Sequence, residues 1–109
     1  MAQTATQEYS TGVVHKASGS FSGTHTAADY TLTLGFVPKY FKVVNVTDRV
    51  TQEWWYGFSA AQFMETAADG TRTLETDSAI TVNTDGTVDL DVSTGNYTDD
   101  DLVVWEAWA

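Results

Sequence analysis

Two histidines, His15 and His25, are the only imidazoles in a chain of 109 residues that carries 15 carboxylates and 5 bases. Acid–base catalysis needs convergent titratable groups, one of them with a displaced pKa. Each histidine lies among Gly, Ser and Thr, without a flanking carboxylate pattern. Ser18, Ser20 and Thr24 are near in sequence, but nothing resembles a nucleophile elbow. A ten-residue separation through loop-rich sequence is no recognised metal-ligand spacing. With no cysteine, disulfides, zinc–thiolate sites and thiolate nucleophiles are excluded. The expectation is a protein that is not an enzyme and holds no cofactor.

The carboxylates raise two further chemistries. Glycoside hydrolysis needs two carboxyls at a set separation across a sugar. Asp89 and Asp91 are an i, i+2 pair, which a strand spaces by about 6–7 Å. Any solvated strand face produces that spacing, so a solvated face is the expected role. Asn83, Asp85 and Gly86 match three positions of a calcium loop, but its first and twelfth ligands would be Thr81 and Val92, both unsuitable. Asp99, Asp100 and Asp101 with Asn96 offer oxygens as well. A solvated acidic turn is the expectation, and no metal is assigned.

The residues best suited to recognition are aromatic: Trp54, Trp55, Tyr56, Trp105 and Trp108. Consecutive strand residues point to opposite faces. Trp54 and Trp55 therefore cannot both enter one face of a regular sheet. One is expected in the core. The other then lies under a loop, in a binding groove or at a subunit contact. Trp and Tyr are enriched at interface hot spots, so interface or loop-covered packing is expected before a glycan platform.

The elements that position these residues read as strands. Threonine is the most frequent residue and valine is abundant; both are β-branched and suit extended backbone. Residues 29–34, DYTLTL, alternate cleanly, with Tyr30, Leu32 and Leu34 on one face. Residues 39–47 carry apolar groups on both faces, as a central strand does, or one whose second face meets a partner. Residues 50–58 form an aromatic strand, with Trp54 and Tyr56 on one face and Glu53, Trp55 and Gly57 on the other. Residues 71–77 form a short strand centred on Leu74. Residues 79–92 read as a hairpin with Asp85-Gly86 as a two-residue loop. Over 59–67 a helical turn capped by Ser59 and Gln62 competes with an extended loop.

The whole is an all-β chain, a compact antiparallel β-sandwich or barrel of seven to nine short strands. Residues 1–12 are expected to be a flexible arm and 13–109 a single domain. Residues 1–12 show no basic or apolar leader pattern, and no run approaches 18 apolar residues. The net charge of −10 opposes nucleic acid and anionic membranes as partners. Asn45-Val46-Thr47 and Asn96-Tyr97-Thr98 are glycosylation sequons by pattern, expected by chance in a Thr-rich chain.

Residues 35–47, GFVPKYFKVVNVT, with EWWYG at 53–57, GTRTL at 70–74, ITV at 80–82 and VWEA at 104–107, resemble small β-rich virion proteins of tailed bacteriophages, the capsid decoration or cement proteins. The resemblance covers roughly residues 30–109. It implies a structural protein on the capsid surface of the virion, commonly a homotrimer that clamps neighbouring major capsid subunits. It implies that Trp54, Trp55, Tyr56 and Trp105 are core or trimer-contact residues, and that arm 1–12 is a contact element. It offers no catalytic residues. Related modules occur in tail and head fibres, so binding to a host-surface glycan or receptor is the alternative.

Overall fold

A computed structural model describes residues 15–22, 30–59, 61–91 and 100–109. It shows an all-β antiparallel fold of two sheets, with no helix among the described residues. The strands are β1 (Lys16–Phe21), β2 (Tyr30–Thr33), β3 (Tyr40–Asn45), β4 (Val50–Trp55), β5 (Phe63–Thr66), β6 (Arg72–Glu75), β7 (Ile80–Val82), β8 (Thr87–Leu90) and β9 (Val103–Trp108). One sheet has the order β1-β9-β3-β4-β5-β6 and the other β2-β8-β7. The two sheets are separate, so the architecture is a sandwich and not a closed barrel.

Alternation decides which side chains meet between the layers. Phe41, Val43, Phe63, Val103 and Ala107 come from the larger sheet, and Ile80, Val88 and Leu90 from the smaller. Tyr30 and Leu32 pack against this cluster while Thr31 and Thr33 are exposed, as the DYTLTL pattern requires. Tyr30 also stacks on Phe21 of β1, with ring centroids 4.1 Å apart. This contact joins the two sheets near one edge.

Three local expectations are corrected. The segment 59–67 is no helix: Gln62 N–H donates to the Ser59 carbonyl, and β5 begins at once with Phe63. The expected capping pair does form, since Gln62 Oε1 accepts from Ser59 N–H at 2.8 Å. It closes a single turn, because Phe63 is fully buried and is held in the sheet opposite Glu75. The hairpin loop is also longer by one residue. Asn83 N–H donates to the Thr87 carbonyl, leaving Thr84, Asp85 and Gly86 as a three-residue loop. Only Gly86 takes positive φ, +88°, as such a loop with a terminal bulge demands. The Gly86 carbonyl accepts from Leu34 N–H, and a Cβ at Gly86 would lie 3.1 Å from the Phe36 nitrogen.

The third correction concerns Tyr56. Strand β4 ends at Trp55, and Tyr56 N–H closes the β3–β4 ladder onto the Lys39 carbonyl. Gly57 then turns the chain at φ +105°. Tyr56 therefore does not share the core face with Trp54 but is 76% exposed in the turn.

Between Lys16 and Phe21 strand β1 holds only small residues, ASGS, and one of them is dictated by packing. Gly19 pairs with Trp105. A Cβ there would sit 2.8–2.9 Å from three atoms of the indole. Gly19→Ala is expected to destabilise the fold by about 1–3 kcal/mol through overpacking. The opposing gain from a stiffer unfolded chain, about 0.4–1 kcal/mol, is smaller. Urea unfolding of the variant checks this; unchanged or raised stability would contradict the packing account.

Candidate functional site

Strand β3 is flanked by β9 and β4, so its outward side chains stand at the centre of a broad face. Register brings Lys16, Trp108, Tyr40 and Trp55 into one row across β1, β9, β3 and β4. Tyr40 lies 5.4 Å from Trp55 and 6.3 Å from Trp108, centroid to centroid. Phe58 extends the row at 5.6 Å from Trp55. The Lys16 ammonium lies 5.0 Å from the Trp108 ring centre, a cation–π contact.

Electrostatics fix the middle of this row. The Tyr40 hydroxyl donates to Glu53 Oε2 at 2.8 Å. Burial, then this hydrogen bond and the carboxylates of Glu53 and Glu106, push the phenol well above its ordinary range. Arg72 approaches Glu53 from β6 at 3.6 Å.

The next outward rung is polar, with Ser18, Glu106, Lys42 and Glu53, and apolar side chains return beyond it. Val44 and Val104 pair two rungs along. Val46 and Leu102 follow, joined by a backbone hydrogen bond of 2.8 Å. Leu74 and Met64 face outward on β6 and β5. Trp108, Leu74, Val46 and Leu102 are 47%, 50%, 45% and 42% exposed. Three of the five bases in the chain, Lys16, Lys42 and Arg72, lie on this face. Its carboxylates among the described residues are Glu53 and Glu106, so the local balance is near neutral in a chain of −10.

The aromatic expectations divide between the two sides. Trp54 and Trp105 turn inward onto the core; Trp105 lies near-parallel to Phe41, 6.1 Å between centroids. Trp55 and Trp108 turn outward and share the row with Tyr40. Tyr40 and Phe58 were missed as site residues. Tyr40 faces the same side as Lys42 and Val44, and the mixed pattern of residues 39–47 held that signal.

Beside the row lies a shallow groove of about 430 Å³ lined by Ser18, Gly19, Ser20, Lys42, Val44, Val104, Trp105 and Glu106. It exists because Ser18 and Ser20 are short where the adjacent rung carries Lys16 and Trp108.

The remaining titratable candidates have structural employment. His15 lies beside Phe36, with centroids 5.4 Å apart; His25 lies outside the described residues. Asp89 accepts from Thr31 and Asn83, and Asp85 from Thr87. Those bonds hold the Asp85 carboxyl below its ordinary range, as Thr71 does for Asp69. Among the described residues no group of three or more His, Asp or Glu side chains is gathered for a metal; Asn96 and Asp99 lie outside them. The arm 1–12 and the sequon at Asn96 are also outside. Asn45 of the other sequon is 2% exposed, with its amide donating to Asp101 at 2.9 Å and Asp48 at 3.3 Å. Folded protein does not offer it for glycosylation.

Asp48 carries a pH consequence. Desolvation, then the Asp101 charge and hydrogen bond, raise its carboxyl above 3.8. A raised folded-state pKa means that the folded chain binds the proton more tightly. The associated stability is present below pH 3.8 and is lost as pH rises through the folded-state value. Asp48→Asn is therefore expected to gain thermal stability relative to the parent as pH rises from about 3 to 7. Parallel melting curves with no divergence would contradict the pairing.

No protein-family model, no curated protein and no solved structure matches the chain. The fold and the face define a two-sheet antiparallel sandwich whose larger sheet carries an aromatic row on its outer surface beside a polar rung.

Proposed function

We propose that this chain is a virion structural protein that decorates the capsid surface, binding major capsid subunits as an oligomer, with the homotrimer implied by the family resemblance. The observation that carries the reading is the row Trp108–Tyr40–Trp55–Phe58 on an exposed sheet face. Contiguous exposed apolar surface rimmed by polar residues marks an interaction site. The near-neutral charge of the face supports it, since a partner approaching elsewhere meets a strongly acidic surface.

The shape of the row favours a protein partner over a glycan. Stacking on a sugar needs ring faces laid open. Here the rings tilt at 54° and 77° to one another, so edges and faces are already paired within the row. Such a ridge suits insertion between the side chains of another protein.

The test combines mass measurement in solution with binding to purified expanded capsids of the encoding phage. An oligomer that binds saturably is expected. A monomer without capsid affinity would sink the proposal.

A further inference from the structure

We propose that the groove across β1, β9 and β3, one rung from the aromatic row on the same outer face, is a binding site for a neutral pyranose; the argument does not use the capsid reading. Its volume, about 430 Å³, falls within the range of small-ligand sites. Its chemistry is mixed in the way that a sugar is mixed. Ser18 and Ser20 each donate and accept, Lys42 donates only and Glu106 accepts only.

Lys42 and Glu106 stand opposite one another in register, and among the described residues neither is held in an ion pair. Together they add no net charge, which suits an uncharged ligand carrying vicinal hydroxyls. Val44 and Val104 pair beside them and offer a small apolar floor for the C–H face of a ring. Neighbouring rungs set the walls: Lys16 and Trp108 stand on one side of the serines.

A phosphate or carboxylate ligand fits less well. Glu106 lines the groove and Glu53 stands opposite Lys42 in register from β4, so the one ammonium in the lining stands between two carboxylates. A wholly apolar ligand would strip water from four polar side chains without replacing their hydrogen bonds.

The experiment is an amide-resolved NMR titration of the full chain with the methyl glycosides of glucose, galactose and mannose and with N-acetylglucosamine. Saturable shifts are expected for at least one probe at the amides of Ser18, Gly19, Ser20, Lys42, Val44, Val104 and Glu106. A Kd on the order of millimolar suits a ligand of this size on an open surface. Lys42→Met should weaken binding about tenfold or more, the loss of a charged hydrogen-bond donor, while the rest of the spectrum stays in place. Should that variant fail to fold, Ser20→Leu fills the groove from an exposed position and should abolish the shifts. No saturable shift with any probe would overturn the proposal. So would shifts confined to Tyr40, Trp55 and Trp108, which would put the sugar on the aromatic row.

Discussion

Phe41→Ala is expected to cost about 3–5 kcal/mol of folding stability. Phe41 is fully buried on the central strand of the larger sheet. Its neighbours in register are Trp54 on β4 and Ala107 on β9, and Trp105 lies near-parallel to its ring. The indoles are rigid, and Trp105 lies so close over Gly19 that no Cβ fits between them. They cannot collapse into the space that the phenyl ring leaves, so the cavity term stays large. Domains of this size have about 5–15 kcal/mol in total, and the variant should lose a large part of that. Thermal melting should drop by roughly 15–25 °C. Phe41→Leu, which retains a branched apolar side chain, should lose less. A Phe41→Ala loss under about 1 kcal/mol would mean that the two sheets do not close on this residue.

The strands that were legible from sequence share one property: an alternating pattern with one apolar face. Strands Tyr30–Thr33, Ile80–Val82 and Thr87–Leu90 fall where the alternation in 29–34 and 79–92 places them. The opposed directions of Trp54 and Trp55 were legible for the same reason. The misread pieces are those in which tertiary contacts override local preference. Ser59 and Gln62 form a local cap, but buried Phe63 ends the turn as strand. The loop at 84–86 depends on Gly86 meeting Leu34 and Gly35, residues some fifty positions away.

The site was only partly legible because it is assembled across strands. Trp108, Tyr40 and Trp55 come from three elements, and their shared row depends on register, which one strand's pattern does not contain. Buried polar groups were hidden for a related reason. Asn45 lies near the end of the strand read at 39–47 and Asp101 in an acidic run, yet they meet as a buried hydrogen-bonded pair. Gln52 is likewise buried, its amide donating to Glu65 across the β4–β5 pair. Alternation alone marks Gln52 as inward but does not supply its partner.

If the outer face is the proposed capsid contact, Trp55→Ala and Trp108→Ala should each weaken capsid binding by about 30-fold or more, the scale of losing a hot-spot aromatic worth at least about 2 kcal/mol. Trp108 is half exposed on the outer face opposite Lys16 and Tyr40, so its removal leaves the core intact. Trp55 stands between Tyr40 and Phe58, and its removal would also release Tyr40 to move. The Tyr40 hydrogen bond to Glu53 limits that movement, which makes the Trp108 variant the cleaner measurement. Thr31→Ala serves as the control: Thr31 is exposed on the smaller sheet, where it donates to Asp89. It should bind capsids as the parent does. Multivalent attachment multiplies the loss per subunit, so a modest defect in each contact becomes a large defect in occupancy. Equal binding by both tryptophan variants and the parent would remove the outer face from the contact. Loss in the Thr31 variant alone would transfer the contact to the opposite sheet.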